Sequence, residues 1–357
     1  MDKYYAERYK AQLHAIADNV DELNIIVGVG CDFDLQHDKI NVHYVRKIKQ
    51  RRIGEEYVPT PRDMLAKVSG YHYWSKPYIT HRQVTKTLHI EGDAILGFSG
   101  AGWQEYYHTL LGERKGIPVI HRMRGNGRYE RWLSKNKINM YWNNLIESIA
   151  YEKYDYHIPI SSDFRKILIQ RGIDKDKISY PIGLGVDTEL FKPDNSIEPE
   201  DIGVIGRLSK EKGSEFILEV MKQTPNLKYL VVGRNDLGLT FPDNVTYIGK
   251  VRKDKVPELI NRCRFIVMPS LSEGVPNGIL EAYGCGKMVI ASPHAFRNDL
   301  PIFAPTIPLK VSKWVSVMNI MDMVNIQSQQ DMIRRWALDN SWSCFGESLI
   351  KEIKKVI

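Results

Sequence analysis

Four cysteines are all that the 357 residues contain: Cys31, Cys263, Cys285 and Cys344, with no C-x-x-C among them. That excludes a disulfide framework and a cysteine zinc site, and it fits a reducing compartment. No apolar run approaches the roughly 18 residues that a membrane-spanning helix needs. The opening MDKYYAERYK is charged from the start, so no secretory signal is expected. The chain is read as soluble and cytoplasmic, with peripheral membrane contact open. An acidic surplus is also missing, since the formal net charge is +7. A basic surface favours anionic partners: nucleic acid, phosphorylated substrates or an anionic membrane face.

What is present is length and alternation. With 43% hydrophobic residues, the chain is long enough for two cores. NIIVGV (24–29), NVHYV (41–45), DAILGF (93–98), PVIHR (118–122) and YHIPI (156–160) read as strands. Segments 103–115, 127–153 and 161–171 read as helices, and DKYYAERYKAQLHAIADNV as an opening one. In 140–153, Trp142, Leu145, Ile146 and Ile149 recur at helical spacing and are expected to pack in the core. The rhythm repeats with DIGVIG (201–206), YLVVG (229–233), VTYIG (245–249), RFIVMPS (264–270) and MVIAS (288–292), separated by helical stretches near 214–223, 254–262 and 277–284.

Strands alternating with helices imply parallel sheets covered on both faces. The expected organisation is an N-terminal domain over 1–191 and a C-terminal one over 192–336. A closing helix, 337–357, should pack back on the first domain. KPDNSIEPED (192–201) is the expected linker.

In such sheets ligands bind beyond the carboxyl ends of the strands. Three turns there carry chemistry. GRLSKEKGS (206–214) joins a strand to a helix. Gly206 lets the backbone turn, and the next helix presents unpaired N–H groups. Arg207 and Lys212 add two cations suited to a diphosphate. EGVPNGILE (273–281) follows another strand. Its Gly274, Val275, Pro276, Asn277 and Gly278 open a helix, with Glu273 before its start and Glu281 on its second turn. Carboxylates accept sugar hydroxyls well. The third turn, KVRKDKVPE (250–258), offers backbone at Lys250 and Val251 for a base edge, with Gly233 and Arg234 at a neighbouring strand end. Taken singly, each turn also reads as an ordinary surface loop or helix start.

PSLSEGVPNGILEAYGCGKMVIAS resembles the E-x7-E signature of retaining glycosyltransferases with the GT-B fold, the large mannosyl- and glucosyltransferase group that also resembles glycogen synthase. GVIGRLSKEKG is similar to that family's diphosphate turn, and YIGKVRKDKVPELINRCRFIVMPS to the run before the signature. KISYPIGLGVDTELFKP resembles its entry into the second domain, with Leu184 where Asn is usual.

The resemblance spans about residues 90 to 300. It implies an α/β, GT-B architecture of two Rossmann-like, doubly wound domains facing a central cleft. It implies a nucleotide-diphosphate sugar donor, UDP-, GDP- or ADP-linked, and transfer of a hexose with retention to an acceptor glycan, lipid-linked or other. Glu281 would then bind ribose hydroxyls. Glu273 and the following N–H groups would hold the sugar, while Arg207 and Lys212 would stabilise the leaving diphosphate. His121, in PVIHRMRGNG, would approach the sugar from the first domain, although its bland reading is a satisfied polar residue at a strand end.

No cofactor and no metal are expected. Asp32-Phe33-Asp34 falls in a predicted loop of the first domain and is read as a decoy. The family's opening strand and glycine-rich loop have no counterpart ahead of the first helix. After MVIAS, PHAFRNDLPIF replaces its usual Gly-Gly turn. RKIKQRR (46–52), YHYWSKPY (71–78), Trp103, Tyr106 and Tyr107 would suit an anionic membrane, a phosphorylated acceptor or nucleic acid. Two other readings fit the same fold: a non-catalytic nucleotide-sugar or nucleic-acid binder, and a sugar-nucleotide epimerase.

Overall fold

In the computed structural model the described residues are 3–27, 36–44, 52–53, 56–57, 84–98, 102–123, 137–271, 273, 276–295, 300, 303, 306–323 and 329–357. The chain divides into two compact units, Met1–Ile182 with Gly346–Ile357, and Gly183–Phe345. Residues 192–201 therefore lie inside the second unit, where Asn261 ties them down. Its side chain accepts from Asp194 N (3.1 Å) and donates to Lys192 O (3.0 Å).

The first unit opens with the helix Lys3–Ala17. Strands β1 (Leu23–Val27) and β2 (Ile40–Tyr44) pair in parallel, and β3 (Arg52–Ile53) and β4 (Glu56–Tyr57) antiparallel. A separate parallel sheet has the order β5 (Ile95–Phe98), β6 (Val119–Met123), β7 (Tyr156–Pro159). All five residues of β6 are buried, the pattern of a central strand covered on both faces. Helices Gly102–Lys115 and Lys137–Lys153 provide the crossovers. From the C-terminal helix Trp342–Ile353, residues beyond Phe345 count with this unit. A side chain at Gly346 would collide with the carbonyl of Ala15, and Tyr156 donates to Glu352 at 3.0 Å.

One periodicity reading is overturned. Leu145 and Ile149 are 39% and 41% exposed. The face that Lys137–Lys153 buries is Glu147, Ala150, Tyr151 and, just past its end, Tyr154. That set has the same i, i+3, i+4, i+7 spacing as an apolar stripe. Its members are polar or small because they enclose an Arg171–Glu147 ion pair (2.9 Å) and two histidines. Hydrophobicity alone therefore chose the wrong side. The segment 127–136 of the expected helix lies outside the described residues, as do Asp32-Phe33-Asp34, residues 46–51 and 71–78. The side chains of Trp103 and Trp142 are outside them too. Tyr106 and Tyr107 pack against the Val84, Leu110, Leu111 cluster.

The second unit is a five-stranded, wholly parallel sheet. Its order is β10 (Val245–Gly249), β9 (Tyr229–Val232), β8 (Asp201–Ile205), β11 (Cys263–Met268), β12 (Val289–Ala291). The other four strands, with β12 at the opposite edge, are mainly apolar and buried. Edge strand β10 exposes Thr246, Tyr247 and Ile248, so the sheet is not covered on both faces there. The helix Ser214–Gln223 buries Ile217, Val220 and Met221 on one stripe, with Glu215 in its first turn and Lys222 in its last. Both charges suit the helix dipole. Helices Val311–Met323 and Gln330–Asp339 complete the unit. From the latter, Arg334 donates to the carbonyls of Thr188, Phe191 and Gly284 (2.7–2.8 Å). Among the described residues no helix is long and apolar enough to cross a membrane.

Candidate functional site

The strand order reverses direction of growth at β8: the chain adds β9 and β10 on one side, then returns to place β11 and β12 on the other. The turns after β8 and β11 therefore flank a switch point, where a parallel sheet leaves a crevice between neighbouring crossovers. The described second-unit residues expected to touch a donor sit at this end of the sheet or in the helices that leave it.

The β8 turn is built on glycine. Gly206 has φ 144° and Gly233, at the end of β9, φ 142°. A side chain at Gly233 would run into the carbonyl oxygen of Gly206. Gly206 N donates to Val232 O at 2.9 Å, and Gly233 N to Gly249 O at 2.8 Å. The ends of β8, β9 and β10 are thus stitched into one floor. Beyond it Leu208 N donates to Arg234 O (2.8 Å) and Asp236 N to Leu208 O (3.1 Å). That brings Arg207, half exposed, within 3.8 Å of Asp236, which Arg234 also engages. The hydrogen bond from Arg234 holds the Asp236 carboxyl below its usual range, with the charges of Arg234 and Arg207 adding to it. Lys250 and Val251 follow Gly249 directly, and Val251 leans on the apolar core.

Gly213 closes the turn in the left-handed region (φ 65°, ψ 31°) and caps Ser214–Gln223 without a side-chain hydrogen bond. A side chain there would strike the carbonyl of Pro269, so the β8 turn lies directly on the segment leaving β11. Leu271 N donates to Glu211 O at 2.8 Å across the same seam. The seam closes with an ion pair between Lys212 Nζ and Glu273 Oε1. The sequence places these two residues 61 positions apart.

The helix Asn277–Gly284 starts beside them. Its cap, Pro276, also makes no side-chain hydrogen bond, and its first turn carries no acid. Ile279 N donates to Pro276 O at 3.0 Å, and the N–H groups ahead of it, with the dipole, suit an anion or hydroxyl. Gly278 lets this turn sit against Met268 and Ile205, the ends of β11 and β8; an added Cβ would stand 2.8 Å from Met268 Cε. Glu281 is on the second turn and 9% exposed, so it is not a solvated helix-face acid. Gly274 and Val275 lie outside the described residues.

His121 belongs to the first unit. It stands in β6 with no exposed surface, next to Tyr151 and Tyr154, and its Nδ1 lies 2.9 Å from His157 Nδ1. Burial, reinforced by His157, His108, Arg171 and Arg122, depresses its proton affinity well below the ordinary imidazole range.

Two other participants were not flagged by the sequence. Ser270, wholly buried, donates to Glu273 Oε1 at 2.7 Å. Asp236 gathers Arg207 and Arg234. Serine and aspartate in polar turns are too common to stand out, and only the docking of separate turns distinguishes these two. Burial pushes the thiols of Cys263 and Cys285 up to about 12, so neither is a ready nucleophile. Among the described residues no cluster of three or more His, Cys, Asp or Glu could hold a metal.

Residues 199–300 match the family described as Glycosyl transferases group 1. A phosphatidylinositol N-acetylglucosaminyltransferase subunit of Arabidopsis thaliana is 24% identical over 225 residues, 53% of this chain and 50% of that protein. D-inositol 3-phosphate glycosyltransferase of Mycobacterium ulcerans is 22% identical over 208 residues, 48% and 44%. The chain thus spans about half the length of the curated relatives it matches. Among solved structures, Anabaena HepE in complex with UDP aligns with TM-score 0.70 at 16% identity, over 97% of this chain and 96% of that one. Sucrose-phosphate synthase of Thermosynechococcus elongatus gives 0.70 at 16%, over 99% and 93%. At such identities the likeness is one of fold. Residues 199–300 thus resemble the glycosyl transferases group 1, in a chain that has the GT-B fold.

Proposed function

We propose that this chain is a retaining glycosyltransferase that moves a hexose from a nucleotide-diphosphate sugar to an acceptor, without a metal. The observation that carries the reading is the docking of two turns at the switch point: Arg207 and Lys212 on one, Glu273 and the uncapped start of Asn277–Gly284 on the other. Together they offer cations and N–H donors for a diphosphate and carboxylates for hydroxyls.

In this reading the nucleotide lies along the floor made by Gly206, Gly233 and Gly249. Backbone at Lys250 and Val251 meets the base, and Glu281 accepts the ribose hydroxyls. Arg207, Lys212 and the two helix starts stabilise charge as it builds on the leaving diphosphate, an electrostatic contribution. Glu273 orients the sugar. No carboxylate is assigned as a covalent nucleophile, so departure and attack on one face give retention. His121 enters from the resemblance. Its enclosure adds a structural role in the interior of its own unit.

UDP is the first donor base to test, because the Anabaena structure binds it. An anionic or lipid-linked acceptor fits the net charge of +7 and the inositol acceptors in the relatives' names. The test is proton NMR of the sugar released from donor with acceptor or, slowly, with water. The proposal expects the first-formed product to keep the donor's anomeric configuration. Inversion would overturn retention, and absence of nucleoside diphosphate release would leave a binder.

A further inference from the structure

The ion pair between Lys212 and Glu273 raises a difficulty for the proposed function, and the inference drawn from it rests on that reading. Glu273 Oε1 is held by the Lys212 ammonium. Yet Lys212 is also the cation assigned to the diphosphate. A diphosphate is the stronger competitor for that ammonium, carrying more charge than one carboxylate. When it arrives, the Lys212 contact to Glu273 weakens at the moment the carboxylate must be correctly aimed.

Ser270 supplies a constraint that the diphosphate does not compete for. Its hydroxyl donates to the same oxygen of Glu273 at 2.7 Å. The carboxylate oxygen accepts, so the single hydroxyl proton is committed there. Ser270 is itself fixed from behind. Its carbonyl accepts from Ser292 Oγ. Ser292 N donates to Met268 O at 3.1 Å, and Ser292 Oγ accepts from Ala295 N at 3.2 Å. Ser270 and Ser292 have no exposed surface. The chain Ser292–Ser270–Glu273 therefore runs from the ends of β11 and β12 to the carboxylate, through groups that no ligand displaces.

We infer that Ser270 is a positioning residue: it keeps Glu273 aimed at the transferred sugar after the diphosphate has drawn Lys212 away. A residue in this role contributes to recognition of the sugar and not of the nucleotide. A residue that merely supported the turn would weaken both alike.

The experiment is calorimetric titration of wild type, Ser270→Ala and Ser270→Cys with UDP, GDP and ADP and with UDP-glucose, UDP-N-acetylglucosamine, GDP-mannose and ADP-glucose. The cysteine variant keeps the side-chain volume with a weak donor, so it guards against a folding defect in the alanine variant. For the base that wild type binds, nucleoside diphosphate affinity should stay within about 2-fold, while preference for the sugar conjugate over the diphosphate falls about 10-fold, as loss of a hydrogen bond to a charged group allows. An unchanged preference in both variants, or equal losses for both ligands, overturns the inference alone. If wild type binds none of these nucleotides, the proposed function falls and takes the inference with it.

Discussion

The imidazoles of His121 and His157 meet nitrogen to nitrogen, Nδ1 to Nδ1, at 2.9 Å inside the first unit. The second ring fixes the first. His157 Nε2 lies 3.1 Å from the carbonyl of Tyr151, which can only accept, so that nitrogen carries a proton. A neutral His157 then accepts at Nδ1, and His121 donates from its own Nδ1. A second proton on His157 would sit at Nδ1 and break the pair, while one on His121 Nε2 would place a cation with no exposed surface beside Arg122 and Arg171.

Acid should therefore destabilise the first unit. Burial lowers His108 and His157 to about 4 and holds His121 well below the ordinary imidazole range. Arg122, Arg171 and Lys177 face the cluster with like charge, while Glu147 is taken by Arg171. In the unfolded chain these histidines titrate near 6.5, so below that pH the unfolded state binds more protons. Stability present above pH 6.5 is lost as pH falls toward 4, by up to about 1.4 kcal/mol per pH unit for each histidine. Denaturant midpoints should change little from pH 7.5 to about 6.5 and fall from there to pH 5. His157→Gln should flatten the slope, and a profile that does not depend on these residues would contradict the assignment.

Gly233→Ala tests the floor of the site. The residue has φ 142°, and a methyl group would meet the carbonyl of Gly206. The expected loss is about 2 kcal/mol or more, from backbone strain and overpacking together. Gly172→Ala is the control, because it shares a positive φ (86°) but has nothing near its added methyl. The control should cost clearly less in the same denaturation experiment.

Glu281→Gln keeps shape and removes charge at the proposed ribose contact. Nucleotide affinity should fall about 10-fold, in line with loss of charge-assisted hydrogen bonds, while turnover at saturating donor changes less. Titration with nucleoside diphosphate and steady-state kinetics give the two numbers. Unchanged affinity would remove Glu281 from the ribose.

The helix Lys137–Lys153 offers a test of which face is inside. Leu145→Glu, at an exposed position, should change stability by no more than about 0.5 kcal/mol. Ala150→Leu, in a position with no exposed surface, should cost about 1–3 kcal/mol by overpacking. Thermal melts of the two variants should separate clearly.

The contrast between those two residues shows what the sequence could carry. Strands such as DIGVI and YLVV are short, apolar and bounded by glycine, and period and punctuation together place them within a residue or two. The helices Ser214–Gln223 and Asn277–Gly284 are equally legible, since Gly213 and Pro276 mark where they begin. The polar interior of the first unit was not legible, because Glu147 is buried by pairing with Arg171 and His157 by bonding to the Tyr151 carbonyl. Hydrophobicity has no signal for that.

The candidate site divides in the same way. Arg207, Lys212, Glu273 and Glu281 stand out by residue type beside strand ends. Ser270 and Asp236 matter through contacts with residues 3 and 29 positions away, counting from Glu273 and Arg207. The contact of Lys212 with Glu273 spans 61 positions. That pairing depends on β11 lying next to β8, and sheet order is not written in local pattern.

A nucleotide-diphosphate site at the switch point of the second unit underlies both the proposed transfer and the role given to Ser270. The most direct measurement is calorimetric titration of wild type and Arg207→Ala with UDP, GDP and ADP in the presence of a chelator. Binding of one base by wild type, weakened at least about 10-fold in Arg207→Ala as loss of a charge-assisted contact predicts, is the expected result. Equal affinity in the two proteins, or no binding by wild type, would contradict it.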